Sequence, residues 1–309
     1  MMRRSSLKKK NGLSWLRSDY DLYLMLLPCL CFFIIFKYVP MAGIIMAFQD
    51  YTIAGGLLGS EFVGLKHFKE MFQQPGFLDA LRNTLYINFW KYLIYTPAPL
   101  ILAIMINEVR RGWARKTIQT ICYFPNFISW IIVFGILTNL LNVQSGLVNR
   151  VLSAMGLKPI AFMISKQYFV PLLVITDVWK YVGIDSIVYL SALTGIDPGL
   201  YEAAKLDGAS KMQRIRHITV PGVSSTFFIM LILSLGRILD AGHDQIIALY
   251  SKPVYEVADV LTTYIYRTGI GSMRFSYSAA VGLFSSLIGL IMVCLSNWLS
   301  RKYNQSSVW

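Results

Sequence analysis

Long apolar stretches recur along nearly the whole of this chain, and no other feature limits its possible folds so strongly. About 20 apolar residues are what a helix needs to cross the hydrocarbon core of a bilayer. Six such stretches can be read, at 21–48, 78–107, 118–140, 167–193, 223–248 and 275–299. Lipid offers the backbone no hydrogen-bond partner, so spans of this length must be helical. Repetition along the chain excludes a single anchor carrying a soluble domain. Charged residues make up 15% of the 309, well below the roughly 25% of a soluble globular chain. The sequence therefore predicts an all-α integral membrane protein with six transmembrane helices. Pro28, Lys37 and Pro40 predict that the first span either kinks or brings its end back to the interface, and the polar turn after Asp240 predicts a break in the fifth near Gly242.

The net charge of +13 would suit a nucleic-acid partner, but its distribution argues for topology instead. With both termini placed in the cytoplasm, the segments 1–20, 108–117, 194–222 and 300–309 hold 16 Lys and Arg in 69 residues. The opposite segments, 49–77, 141–166 and 249–274, hold 8 in 81. The positive-inside rule favours that orientation, with VRRGWARK at 109–116 its clearest marker. The basic start MMRRSSLKKK precedes an apolar run too long for a signal-peptide core, so a retained first span is expected. Cys29, Cys31, Cys122 and Cys294 all lie in apolar runs with no His or acidic companion at ligand spacing, and read as small hydrophobes rather than as a disulfide framework or metal site. No GxxxxGK[ST] phosphate cradle is present, so the chain supplies no conventional ATP site.

Outside the membrane no segment is long enough for a domain of its own. The stretch GLKHFKEMFQ places Leu65, Phe68 and Phe72 at helical spacing and predicts a helix lying along the interface. The segment 249–274 is rich in tyrosine and is expected to cover the outer mouth or meet a partner. Most distinctive is 194–222. Asp197 can cap a helix opened by Pro198, running through Leu206. Asp207-Gly208 signals a turn in which glycine adopts positive φ, and a second short helix is expected from Ala209 to Ile218, ending before Pro221. Ala203, Ala204 and Ala209 let another surface approach closely, beside apolar Leu206, Met212 and Ile215. By its residues alone this is either an ordered interfacial loop or a compact element that transmits force.

The run EAAKLDGASKMQRIRHITVP, 202–221, resembles the EAA signature of the permease subunits of bacterial binding-protein-dependent ATP-binding-cassette importers: EAA, three residues, G, nine residues, I, one residue, L-P. Glu202, Ala203, Ala204, Gly208, Ile218 and Pro221 match in register, and Asp207 and Ala209 fit the sugar-transport version. Val220 stands where the pattern has leucine, and Ile215 where sugar permeases often carry an aromatic. The opening LYLMLLPCLCFFIIFKYVPMAGIIMAFQDY, the segment FVGLKHF and the tail from ADVLTTYIYRTG onward are similar to the branch that handles complex oligosaccharides. The resemblance covers about residues 20 to 303. It implies a type I importer permease fold over 21–303 with a coupling loop at 194–222, a basic cytoplasmic N-terminus at 1–20 and a cytoplasmic tail at 304–309, in the bacterial cell membrane. It also implies a second permease that is a different chain, two ATP-binding subunits that hold the ATP and Mg, and an extracytoplasmic solute-binding protein. The chain itself would be a non-catalytic subunit without a cofactor, importing a sugar, an oligosaccharide in the first instance. Glu202 to Ala204 would contact the ATPase, and Gly208 would form the bend.

A sugar path needs groups that bond hydroxyls and aromatic faces that cover the rings. Polar residues inside spans usually face protein or a water-filled cavity, which makes Asn83, Trp90, Asn126, Trp130, Asp177, Tyr181 and Asp185 the candidates. Asp177, Tyr181 and Asp185 share a helical face. Lys180 could instead pair with Asp177 within the helix, or the cluster could meet the second permease. In the fifth span Arg237, Asp240, His243 and Asp244 form a polar patch that reads as gating or as support for a helix break rather than as a metal site. Two rival functions are the same importer architecture with a non-sugar cargo and a transporter driven by an ion gradient. The second would need no loop of this kind.

Overall fold

A computed structural model of the chain describes residues 20–304; the expected basic segment before Tyr20 and the last five residues lie outside them. The first helix, α1 (Tyr20–Phe33), continues through a π turn at Ile34–Tyr38, a helical turn at Val39–Met41 and a 3-10 stretch at Ala42–Phe48. The widened turn comes just before Pro40. A proline ring clashes with the carbonyl four residues back, and the π turn makes room for it. This element buries nothing until Ala47, where its 3-10 end packs on the last helix. A two-residue antiparallel ladder follows, β1 (Gln49–Asp50) with β2 (Glu61–Phe62), pairing Gln49 with Phe62 and Asp50 with Glu61.

Helix α2 (Lys66–Gln73) is the amphipathic stretch expected along the interface, but its buried face is set by His67 and Met71, while Leu65 and Phe72 stay exposed. Met71 joins Phe77, Leu239, Tyr264 and Tyr277 in one core cluster, which draws the helix onto the bundle. Helix α3 (Pro75–Tyr95) starts on Pro75 at its first position and is followed after Pro97 by α4 (Ala98–Asn107). The third span, expected at 118–140, is broken into α5 (Gly112–Tyr123), a 3-10 turn at Phe124–Phe127 and α6 (Trp130–Leu141), with the two arms bent by 102°. Pro125 breaks the ladder, and Ser129 restarts it by capping α6 through the Ile132 N–H at 3.4 Å. After α7 (Leu147–Ala154) comes α8 (Lys166–Thr194), 29 residues and about 44 Å long at 1.5 Å per residue. Helix α8 is the central post, packed by α3, α4 and α5. At Gly183 its backbone touches α5 so closely that a Cβ would lie 1.9 Å from the Cys122 carbonyl oxygen.

The segment 194–222 folds as α9 (Pro198–Leu206) and α10 (Lys211–Arg214), the latter extended by a π turn at Ile215–Thr219 and a last turn at Val220–Gly222. The second helix thus runs through Pro221 rather than ending before it, again because a π turn sits ahead of the ring. Helix α11 (Ser224–Leu235) is bent by 56° from it. The chain then unwinds from Gly236 to Gly242, where φ is +86°, before α12 (His243–Leu249); the break includes Gly242 but begins six residues earlier than expected. Helix α13 (Leu261–Tyr266) and the long α14 (Phe275–Asn304) complete the fold.

Among the described residues three elements can cross a membrane by length and composition, Tyr20–Phe48, Pro75–Asn107 and Phe275–Trp298, and two bent pairs pass jointly, giving three to five candidate spans rather than the six expected. Two expected spans are broken, and α8, though long enough, carries Lys166, Asp177, Lys180 and Asp185.

Candidate functional site

The loop 194–222 is built by capping. The Asp197 carboxylate accepts from the Gly199 N–H at 2.8 Å and opens α9. At the other end Gly208, with φ +78°, donates to the Lys205 carbonyl at 3.2 Å, and Ala209 donates to Ala204 at 2.9 Å. This paired closure is the Schellman ending, and it needs the left-handed glycine. Ser210 and Gln213 then cap α10 reciprocally: Gln213 N–H to Ser210 Oγ at 3.4 Å, Ser210 N–H to Gln213 Oε1 at 2.7 Å. The loop is tied down by Lys211, which pairs with Glu108 after α4 at 3.0 Å, and by the Tyr201 hydroxyl, 3.0 Å from Thr219 Oγ1. Glu202, Ala203, Asp207, Gly208 and Pro221 are exposed, while Ala204, Ala209 and Ile218 are half-buried. Two large apolar side chains stand clear of the fold, Leu206 at 90% and Met212 at 71% exposure.

The second group of candidates lies inside the helix bundle. Asp177, Tyr181 and Asp185 do share a face of α8, but Lys180 does not pair with Asp177. Lys180 is 4% exposed, and its ammonium donates to the carbonyls of Pro125 (3.2 Å), Asn126 (3.0 Å) and Ile128, where the third span breaks. Lys180 also sits over the rings of Trp130 (5.6 Å) and Tyr181 (5.3 Å), and the Trp130 indole N–H donates to the Tyr181 hydroxyl at 3.1 Å. Spacing along one helix cannot reveal carbonyls presented by another element. The partner of Asp177 is Lys91 of α3, at 3.2 Å, which also donates to the Ala241 carbonyl (2.9 Å) and to Gln245 Oε1 (2.6 Å). Gln245 in turn donates to the Leu173 carbonyl and to Thr176 Oγ1. Asp185 accepts from the Tyr95 hydroxyl. Lys91, Tyr95 and Gln245 were not singled out by sequence, although a lone Lys in FWKYLIY is the kind of intramembrane charge that marks a partner.

Asn83 and Trp90 stand apart from this cluster. They border a cavity of about 740 Å³ between α3 and the N-terminal part of α8, with Tyr86, Pro171, Val174 and Ile175. Asn83 spends its amide on the backbone carbonyls of Glu256 (2.8 Å) and Asp259 (3.1 Å), so it fastens the 249–274 segment to α3. In that segment the Lys166 ammonium holds the Glu256 carboxyl below its usual range, and burial pushes that of Asp259 up. In the polar patch of the fifth span, Asp240 accepts from the Gly242 N–H at 3.1 Å and so supports the break. Among the described residues no three His, Cys, Asp or Glu side chains group in a way that could hold a metal ion.

Residues 96–305 match the family described as binding-protein-dependent transport system inner membrane component. The polygalacturonan/rhamnogalacturonan transport system permease protein YteP of Bacillus subtilis (strain 168) is 42% identical over 98% of this chain and 94% of its own length. The arabinooligosaccharides transport system permease protein AraP of the same strain is 28% identical, over 91% and 88%. A chain in the crystal structure of a bacterial alginate ABC transporter, in complex with an alginate pentasaccharide-bound periplasmic protein, superposes with a TM-score of 0.88 at 39% identity, covering 97% of this chain and all of that one.

Proposed function

Since the chain belongs to the family of binding-protein-dependent transport system inner membrane components, we propose that it is the non-catalytic permease subunit of an ATP-driven importer carrying oligosaccharides released from a polysaccharide. The observation that carries this reading is the capped loop at 194–222. Glu202, Ala203, Ala204, Asp207, Gly208, Ala209, Ile218 and Pro221 form its frame, and Leu206 and Met212 project from it with no contact in the fold to hide them. A compact helical elbow can pass on a displacement that a flexible loop would dissipate. Two ATPase subunits, holding ATP and Mg, close on nucleotide and draw the elbows together. The bundle then rocks between inward- and outward-facing states, a rigid-body switch.

The polypeptide crosses the membrane six times in this reading: by Tyr20–Phe48, by α3 with α4, by the bent stretch at 118–140, by α8, by 223–248 with its break, and by α14. Both termini are cytoplasmic, and 21–303 acts as one transmembrane unit. A different permease chain completes the channel, and a solute-binding protein delivers cargo outside; its loaded form must favour one permease state, because equal affinity for both would shift nothing. The sugar path follows the Asn126, Trp130, Tyr181 cluster and the Asp177 and Asp185 stripe, with Asn83 and Trp90 at the outer cavity. Oligosaccharide cargo is supported by the relatives named above, two of which are named for polysaccharide or oligosaccharide transport.

Replacing Glu202 with Lys or Gly208 with Leu is expected to cut ATP-driven uptake in proteoliposomes about tenfold, the effect of losing about 1.4 kcal/mol of contact, or to release the ATPase on purification, while insertion is retained. Wild-type uptake and co-purification in both variants would overturn the coupling role. For the cargo, the cognate solute-binding protein is titrated with oligosaccharides of galacturonate, rhamnose–galacturonate and arabinose, and with sn-glycerol 3-phosphate. Thermal stabilisation by the last alone would overturn the sugar reading.

A further inference from the structure

The loop that meets the ATPase is useful only if its motion reaches the transmembrane helices, and one hydroxyl pair stands where that transfer must occur. Tyr201 lies on α9 next to Glu202, and its hydroxyl is 3.0 Å from Thr219 Oγ1, 18 residues along the chain. Thr219 is 2% exposed and ends the π turn that leads into α11. Between the two residues lie the Gly208 turn and α10, so along the chain α9 is joined to α11 only through a bend and a widened turn. A second close contact lies nearby: a Cβ on Gly222 would come within 2.7 Å of Ile196 Cδ1, which holds the entry of α9 against the start of α11. Lys211 braces α10 from the side, on Glu108 at 3.0 Å.

Resting on the coupling role given above, we propose that Tyr201 is a positioning residue: its hydroxyl on Thr219 locks α9 to the root of α11, so that the two move as one body when the ATPase closes. Glu202 to Ala204 meet the partner, and Tyr201, one residue earlier, faces inward and hands the displacement on. With the hydroxyl removed, α9 follows the ATPase and pivots at Gly208, while α11 lags.

The test uses the assembled transporter with its ATPase subunits, in a background where Cys29, Cys31, Cys122 and Cys294 are replaced by alanine. Spin labels are placed on Lys205→Cys of α9 and Leu233→Cys of α11, both exposed. With Tyr201 present, the distance between labels is expected to be the same with and without ATP and Mg. In Tyr201→Phe and in Thr219→Val the distance shifts and broadens on adding nucleotide, and the double variant is no worse than Thr219→Val alone, since that single change removes the Tyr201 contact together with the Thr219 hydroxyl's long bond to the Arg214 carbonyl at 3.5 Å. Thr219→Ser keeps the hydroxyl and behaves as wild type. An unchanged distance in Tyr201→Phe, or a nucleotide-dependent shift with Tyr201 intact, would overturn the proposal. Co-purification of the ATPase is followed in parallel. Its loss in Tyr201→Phe would mean that the tyrosine serves docking rather than transfer, and its absence with the native loop would instead sink the coupling reading itself.

Discussion

Lys180 shows how much one buried charge can do for a broken helix. Three carbonyls at the kink converge on its ammonium, those of Asn126 and Ile128 and that of Pro125, which also takes the Ile128 N–H at 3.2 Å, and in lipid an unmet carbonyl would be costly. Lys91 plays the corresponding part at the other break, holding Ala241 and Gln245 while it neutralises Asp177. The two lysines differ in what their loss exposes. Lys180→Met leaves polar backbone unpaired, a cost of about 1–3 kcal/mol. Lys91→Met takes the ion-pair partner from Asp177, whose side chain is 16% exposed, a cost of up to about 3–5 kcal/mol. The thermal midpoint of the purified transporter is expected to fall further for Lys91→Met than for Lys180→Met, and adding Asp177→Asn to the former should recover part of the loss. Equal midpoints for both variants and the native protein would contradict these roles. The presence of Asp177, Lys180, Tyr181 and Asp185 on one helix was legible in the sequence, but their partners were not. Helical spacing tells which residues share a face, whereas Lys91 lies 86 residues from Asp177 and the carbonyls exist only because another span is broken.

At the scale of elements, the local signals were the readable ones. Asp197 with Pro198, Gly208 with positive φ and the Ser210 start of α10 each have a short-range cause that needs no knowledge of the fold. The prolines were legible as disturbances: Pro40, expected to disturb the first span, follows a π turn, whereas Pro221, expected to lie beyond its helix, is carried inside it by a preceding π turn. Helix crossings were hidden as well. Nothing around Gly183 announces that α5 passes against it, yet the Cys122 carbonyl oxygen leaves no room for a methyl group. Gly183→Ala is therefore expected to destabilise the chain by about 1–3 kcal/mol through overpacking. Gly135→Ala in α6, where nothing lies within 4 Å, serves as the control and should be neutral or stabilising by up to about 1 kcal/mol. A tolerated Gly183→Ala, judged by thermal midpoint and yield, would show that the two helices do not meet there.

For the whole molecule, hydrophobicity announced a polytopic membrane protein but overstated the regularity of its spans, because an apolar run of the right length reads alike whether it is straight or bent by 102°. Charge bias favours the proposed orientation, which is open to a direct check. In the cysteine-free background, Ser210→Cys is expected to react with a membrane-impermeant maleimide only after cells are opened, and Ser272→Cys, in the segment before α14, in intact cells. The reverse pattern would invert the topology and remove the loop from the ATPase side. The separation of Lys91 from Asp177 also has a consequence in time. Ribosomes add about 5–20 residues per second, so the 86 residues between them take about 4–17 s to make. Throughout that interval a nascent α3 carries a cation whose counter-ion has not yet been synthesised, and the insertion machinery must shelter it until α8 arrives.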